Sequence, residues 1–219
     1  ISVERCRRAE AQGAAMVMMM PPYHGALLKA SDEGVYEHFA ALAGAIDIPI
    51  MIQDAPLSGV TLSIPLLARI ARELDQVRYF KIETPGTAAK LRALIAAAGA
   101  HIEGPFDGEE GITLLADLDA GATGTMTSAL ACEKIRPIVI DHLAGDRPAA
   151  EAGYNRLLPL INLENRQCGL RACKTVMMQG GVIKSDAVRH PIPSLDVPTR
   201  ETLLRMARAL DLIALKWGK

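Results

Sequence analysis

No apolar run in the 219 residues approaches the ~20 that a helix needs to cross a bilayer. The longest strip near the start, residues 14–22, is too short, follows a charged segment and has no signal-peptide pattern around it. An excess of either charge is also missing. The 24 lysines and arginines face 25 aspartates and glutamates, a net charge of −1, which leaves no electrostatic footprint for nucleic acid or an anionic membrane. The four cysteines lack metal-ligand spacing: Cys168 and Cys173 are not a CxxC, and Cys6 and Cys132 stand apart. All four read as free thiols of a reducing cytoplasm. His101 and Glu103 have no evident third ligand, so no metal site is expected. Neither GxGxxG nor GxxxxGK followed by Ser or Thr occurs, which removes the loop signatures of dinucleotide and P-loop sites. No cofactor is expected.

What is present is apolar content, half of all residues, and rhythm. That is ample for a real core. Residues 14–20 form a continuous apolar strip, as in a strand buried on both faces. A helix is expected over 31–45, opened by Ser31-Asp32-Glu33 and striped by Val35, Phe39 and Leu42. A strand over 48–53 follows, then a helix over 64–74 led by Ser63 with Pro65 in its first turn. Further strands are expected at 77–83, 101–104 and 124–128, and helices at 87–98, 109–120 and 132–143. A helix at 2–12 precedes them all. Five strand–helix units with short links imply parallel strands covered by helices. After Gly145 the rhythm changes to helices alone, at 147–163 with a kink at Pro159, at 167–178, and at 199–215 after a proline-rich link. The expected division is 1–145 for the α/β body and 146–219 for a helical appendage.

Polar residues gather at the ends of the strands: Tyr23-His24, Gln53-Asp54, Lys81-Glu83-Thr84, Asp107-Gly108-Glu109 and Thr127-Ser128. Chemistry at the C-terminal ends of several strands is the habit of (β/α)8 barrels. One run stands out. In Val77-Arg78-Tyr79-Phe80-Lys81-Ile82-Glu83-Thr84-Pro85, Lys81 lies inside an apolar strand, and period two puts Glu83 on the same face. Lysine is rarely buried, and an apolar wall disfavours its charged form. A neutral amine can attack a ketone to form a Schiff base. The plainer reading is a lysine whose head snorkels from a strand end to pair with Glu83. Tyr23 is read as a substrate contact or as packing, His24 as a pocket or a turn residue, and Asp54 as a turn cap. Thr84 and Ser58 can bind substrate hydroxyls or cap the adjoining helices. The methionines 16 and 18–20 read as core filling.

Several segments together carry a resemblance. Met20-Pro21-Pro22-Tyr23 is similar to "TPYY", Asp32 to Phe39 to "QEGLYQHF", Pro49 to Pro56 to "LPIILYNVP", and Phe80-Lys81-Ile82-Glu83 to "GIKE". Leu170 to Lys174 resembles a helix of a C-terminal extension. These are motifs of the dihydrodipicolinate synthase / N-acetylneuraminate lyase superfamily. The resemblance implies a (β/α)8 TIM barrel with a C-terminal helical extension and a Schiff base on Lys81. It also implies a small-molecule 2-keto acid substrate and a homotetramer. Nothing in the chain matches the family's "GGTTGE"-like carboxylate loop, so roughly three βα units are expected upstream of Ile1.

The departures point to a branch. Gln53 stands where the family has the relay tyrosine of "YNVP", and an amide cannot shuttle a proton as a phenol does. No arginine follows in Leu57-Ser58-Gly59-Val60, and His24 replaces the second tyrosine of "TPYY". The combination is similar to the sugar-acid dehydratases. The resemblance then implies a hydro-lyase that converts L-2-keto-3-deoxyarabonate to 2-oxoglutarate semialdehyde and water. Lys81, Glu83 and Gln53 are its expected catalytic residues, and Tyr23, His24, Ser58, Thr84 and Gly108 its expected substrate contacts. The alternatives are a pyruvate-dependent aldolase of the same superfamily and a non-catalytic keto-acid-binding barrel.

Overall fold

Five parallel strands in sequence order form the sheet of the computed structural model, which describes residues 1–22, 30–55 and 58–219. They are β1 (Val17–Met19), β2 (Ile50–Asp54), β3 (Val77–Ile82), β4 (Gly104–Asp107) and β5 (Gly124–Thr125). Between them run α2 (Asp32–Ala43), α3 (Ile64–Glu73), α4 (Thr87–Ala98) and α5 (Leu114–Asp119), with α1 (Ser2–Ala11) in front. Tyr23 and His24 lie outside the described residues. In-order pairing with a helix after each strand is the βα repeat expected from the sequence.

The helices start where their caps dictate. Ser31 accepts the Gly34 N–H at the head of α2, and Ser63 accepts that of Leu66 at the head of α3, whose first turn also holds Pro65. Register fixes which side chains share a face. Gln53 is level with Lys81, and Lys81 with Phe106. The opposite face carries Ile50, Ile52, Phe80 and Ile82, all fully buried. Asp54, also on that face, is ion-paired to Lys90 of α4, so this is the side that the helices cover. Leu67 and Ile70 of α3 and Leu91 and Leu94 of α4 are likewise fully buried. Each such side chain contributes about 1.5–3 kcal/mol by leaving water.

Element bounds shift from expectation at several places, and two of the shifts have a local cause. The strand expected at 101–104 begins at Gly104, because α4 runs on through a 3-10 turn (Gly99–His101). The helix expected from 109 begins at Leu114, because Glu110 and Gly111 both adopt positive φ, 58° and 80°, and cannot open an α-helix.

The chain divides into two compact units, Ile1–Glu109 with Ala116–Met126, and Glu110–Leu115 with Thr127–Lys219. The second holds α6 (Cys132–Leu143), α7 (Arg147–Leu163), α8 (Arg171–Gln179) and α9 (Val197–Ala209). Asp146 caps α7 through the Ala149 N–H and Asp196 caps α9 through that of Thr199. Helix α7 continues through Pro159 and ends in a π-turn (Glu164–Cys168). No strand occurs among the described residues after Gly145, and none of their helices is long and apolar enough to cross a membrane. The four cysteines are free thiols, with Cys6 and Cys168 buried.

Candidate active site

Three sequence-predicted residues converge on one atom. Lys81 Nζ lies 2.9 Å from Glu83 Oε2, and Gln53 Nε2 donates to the same oxygen at 2.8 Å. The local cause is simple. Lys81 and Glu83 share a face by period two, and the β2–β3 register brings Gln53 beside Lys81. The Glu83 N–H donates to the Asp54 carbonyl at 2.9 Å, which extends the β2–β3 pairing past the strand end and fixes where the carboxylate leaves the backbone. Lys81 is only 7 % exposed. The arrangement joins a buried amine to a carboxylate that a second, amide donor also holds.

Gly108 completes the wall. Its N–H donates to the Ile82 carbonyl at 2.8 Å, and a Cβ here would stand 2.8 Å from that oxygen, 2.9 Å from Glu83 Cβ and 2.9 Å from Lys81 Cγ. Only glycine lets the end of β4 lie this close to the Lys81–Glu83 strand. Beside it, Asp107 is fully buried, accepting the Glu109 N–H at 2.8 Å and the Thr125 hydroxyl at 2.6 Å, so it ties the end of β4 to β5.

The other predicted residues take different places. The buried Ser58 hydroxyl is spent inside its own turn, donating toward the carbonyls of Ala55 (2.9 Å) and Val60 (3.0 Å) and accepting from the Val60 N–H at 3.1 Å. It shapes the loop after β2. Thr84 Oγ1 is buried and has no hydrogen-bond partner among the described residues. The residue lines a cavity of about 480 Å³ with Thr61, Val60 and Lys90. Asp54, read as a turn cap, lies inside the fold. It is fully buried, with Lys90 Nζ at 2.5 Å; burial pushes its carboxyl up, and Lys90 opposes that rise. Lys90 went unread in the sequence. The available signal was its place in the first turns of α4, on the stripe that buries Thr87, Leu91 and Leu94.

The model of the dihydrodipicolinate synthetase family matches residues 2–210. The chain belongs to that family. L-2-keto-3-deoxyarabonate dehydratase of Azospirillum brasilense is 54% identical over 218 residues, covering 100% of this chain and 71% of that one. The 4-hydroxy-tetrahydrodipicolinate synthase of Parabacteroides distasonis is 27% identical over 216 residues, 96% of this chain and 69% of its own. Among solved structures, dihydrodipicolinate synthase from Aquifex aeolicus superposes with a TM-score of 0.86 at 22% identity, over 96% of this chain and 70% of that one. The Rhodopseudomonas palustris enzyme gives 0.82 at 27% identity, over 94% and 69%. The βα repeat and C-terminal helices of this dihydrodipicolinate synthetase family member are thus of the TIM-barrel class expected from its sequence.

Proposed function

We propose that the chain is a hydro-lyase that dehydrates a 2-keto-3-deoxy sugar acid, L-2-keto-3-deoxyarabonate, to 2-oxoglutarate semialdehyde and water through a Schiff base on Lys81. The observation that carries the proposal is the meeting of Lys81 and Gln53 on one oxygen of Glu83. The 54% identity to a dehydratase of that name supports the substrate. A cytoplasmic homotetramer, expected from the family resemblance, belongs to the same proposal.

The Lys81 amine attacks C2 of the keto acid, and loss of water gives an iminium ion. The cation acidifies C3, whose proton passes to Glu83, and the electron pair moves into an enamine. That pair then expels the C4 hydroxyl, which leaves as water with the proton returned by Glu83. The freed Glu83 carboxylate takes a C5 proton; protonation at C4 with loss of the enol proton places an aldehyde at C5, protonation at C3 regenerates the iminium, and hydrolysis frees Lys81. Acid–base help of this kind is worth ~10²–10⁴-fold. In this scheme Gln53 keeps Glu83 aimed and holds the departing water; as an amide it carries no proton itself. An aldolase would instead have to deprotonate the C4 hydroxyl, the step that suits the tyrosine this chain lacks. Tyr23, His24, Thr84 and Gly108 are the proposed substrate contacts, and Ser58 shapes its own loop after β2.

Borohydride trapping followed by mass spectrometry of the intact protein is the test. A five-carbon adduct on Lys81, absent from Lys81→Ala, is expected. Glu83→Gln should form the adduct while turnover drops ~10²–10⁴-fold. A three-carbon pyruvyl adduct would make the chain an aldolase, and no adduct with any keto acid would leave a binding role.

A further inference from the structure

The second unit holds a small cavity of about 170 Å³, lined by Arg171 and Thr175 of α8, by Asp186, Ser194 and Leu195 of the α8–α9 connection, and by Arg200 of α9. A water takes ~30 Å³, and pockets that enclose a whole small-molecule ligand span ~300–1,000 Å³. The space therefore suits one compact polyatomic group. Its lining sets two guanidinium groups against one carboxylate. Arg171 donates to backbone carbonyls, from Nε to Cys168 at 2.8 Å, from Nη1 to Pro193 at 3.0 Å and from Nη2 to Gln167 at 3.3 Å. These bonds fix the guanidinium, leave a second N–H on each Nη, and set no carboxylate against its charge. Asp196 is near enough to feel that charge, but one of its oxygens accepts the Thr199 N–H at 2.9 Å and the other the Thr199 hydroxyl at 2.8 Å. Among the described residues Arg200 makes no hydrogen bond and one ionic contact, a long 3.8 Å approach of Nη2 to Asp186 Oδ2. The same oxygen accepts the hydroxyl of the buried Thr175 at 3.3 Å. The exposed Ser194 hydroxyl also has no partner among the described residues.

We infer that this cavity binds a tetrahedral oxyanion, the phosphate ion or the end of a phosphomonoester, held by the Arg171 and Arg200 guanidinium groups with Ser194 at its mouth. The planar fork of arginine matches two oxygens of such an anion, and charge-assisted hydrogen bonds of this kind are roughly twice as strong as neutral ones. An ion pair that served only to hold α9 against the connection would close to ~2.7–2.9 Å. The Arg200–Asp186 contact stays open at 3.8 Å although both side chains are about two-thirds buried, with relative exposures of 32% and 34%, so the Arg200 donors are left for a group from outside the chain. Asp186 makes the site selective. Its like charge opposes any anion, and a bound group must bring enough charge and enough acceptors to overcome it. Phosphate brings both; a halide has no second charge and no spaced oxygens. The bound group would join α8, α9 and their connection, the segments that the Arg171–Pro193 and Thr175–Asp186 bonds already tie. The site is built wholly within the second unit and makes no use of the dehydratase reading.

Isothermal titration calorimetry and thermal unfolding of the intact chain test this, with inorganic phosphate, glycerol 3-phosphate and sodium chloride compared at one ionic strength. Phosphate should bind saturably and raise the melting temperature, and chloride should do neither. Glycerol 3-phosphate binding at least as well as phosphate assigns the site to phosphomonoesters; binding of the free ion alone assigns it to phosphate. Arg200→Gln should weaken binding ~10–100-fold, the loss expected for a hydrogen bond to a charged group. Arg200→Lys keeps the charge without the fork and should fall between. Asp186→Asn separates an anion site from a structural ion-pair network. A network would only be weakened by it. At an anion site the loss of a like charge should tighten phosphate binding, by roughly tenfold for charges several ångströms apart in a half-buried place, even where the unliganded fold melts lower. Binding of neither phosphate nor the ester overturns the proposal. So does an affinity unchanged in Arg200→Gln, which would place the anion elsewhere, or one weakened in Asp186→Asn. If Arg200→Gln does not fold, Asp186→Asn decides by itself.

Discussion

Gly108→Ala tests whether the geometry at Lys81 depends on the close approach of β4. The added Cβ would sit 2.9 Å from both Lys81 Cγ and Glu83 Cβ and 2.8 Å from the Ile82 carbonyl oxygen. Carbon atoms prefer separations of ~3.5–4.0 Å, so the two strand ends must part by about 0.6 Å or more. Two of the three atoms belong to the residues assigned to catalysis, and the third is backbone, so no flexible side-chain tip can absorb the shift. Overpacking of this kind costs about 1–3 kcal/mol. For a chain of this size each kcal/mol lowers the melting temperature by ~2–4 °C, which gives a drop of roughly 2–12 °C. Misplacement by ~1 Å can cost ~10²-fold in rate, so about half of that shift should cost roughly tenfold in kcat. Thermal unfolding and steady-state dehydration measure the two effects. Gly44→Ala is the control, since its Cβ would come no closer than 3.4 Å to a neighbour. Unchanged melting and unchanged kcat in Gly108→Ala would refute the argument.

Lys90→Met should destabilise the fold by ~3–5 kcal/mol at neutral pH, because it strands Asp54 as a buried charge. Burial already raises the Asp54 carboxyl, so its contribution to stability is complete below the ordinary aspartate range and is lost as pH rises through the raised value. The variant raises that value further. Its deficit should therefore shrink as pH falls, and chemical denaturation at two pH values that gave the same deficit would contradict this. The stereochemistry of elimination follows from the single carboxylate: the C3 hydrogen removed and the C4 hydroxyl expelled should leave from the same face. Substrate stereospecifically deuterated at C3 reads this out by mass spectrometry, and anti loss would mean that a second group protonates the leaving oxygen.

The core of the site was legible because it depends on rules that act over two residues. Period two places Lys81 and Glu83 together, and an amine followed by an acid in an apolar strand is rare enough to notice. Gln53 required more, since its meeting with Glu83 depends on the β2–β3 register, which no local pattern states. The βα rhythm was equally readable, down to the starts of α2 and α3 at Ser31 and Ser63, because caps are local chemistry. Failures fell where tertiary geometry decides. Positive φ at Glu110 and Gly111 delayed α5 by five residues, and nothing in Glu109-Glu110-Gly111 excludes a helix start. The Asp54–Lys90 pair joins a strand to a helix 36 positions on, and the Ser128–Glu164 bond spans the same separation. Neither leaves a periodic trace.

The replacement of the family's relay tyrosine by Gln53 gains a physical meaning from the observed bonds. Lys81 and Gln53 both donate to Glu83 Oε2, which fixes how the proposed base is aimed. A phenol at position 53 could also donate there, but it would bring a proton of its own to pass on to an alkoxide or to receive from a hydroxyl. The amide stabilises the base and removes that second carrier. The proposed role of Gln53, narrowing the chemistry to one proton acceptor, fits the convergence of two donors on a single oxygen. Cleavage of C3–C4 needs a proton taken from the C4 hydroxyl; elimination needs one taken from C3 and returned to the leaving oxygen, which one well-aimed carboxylate can do.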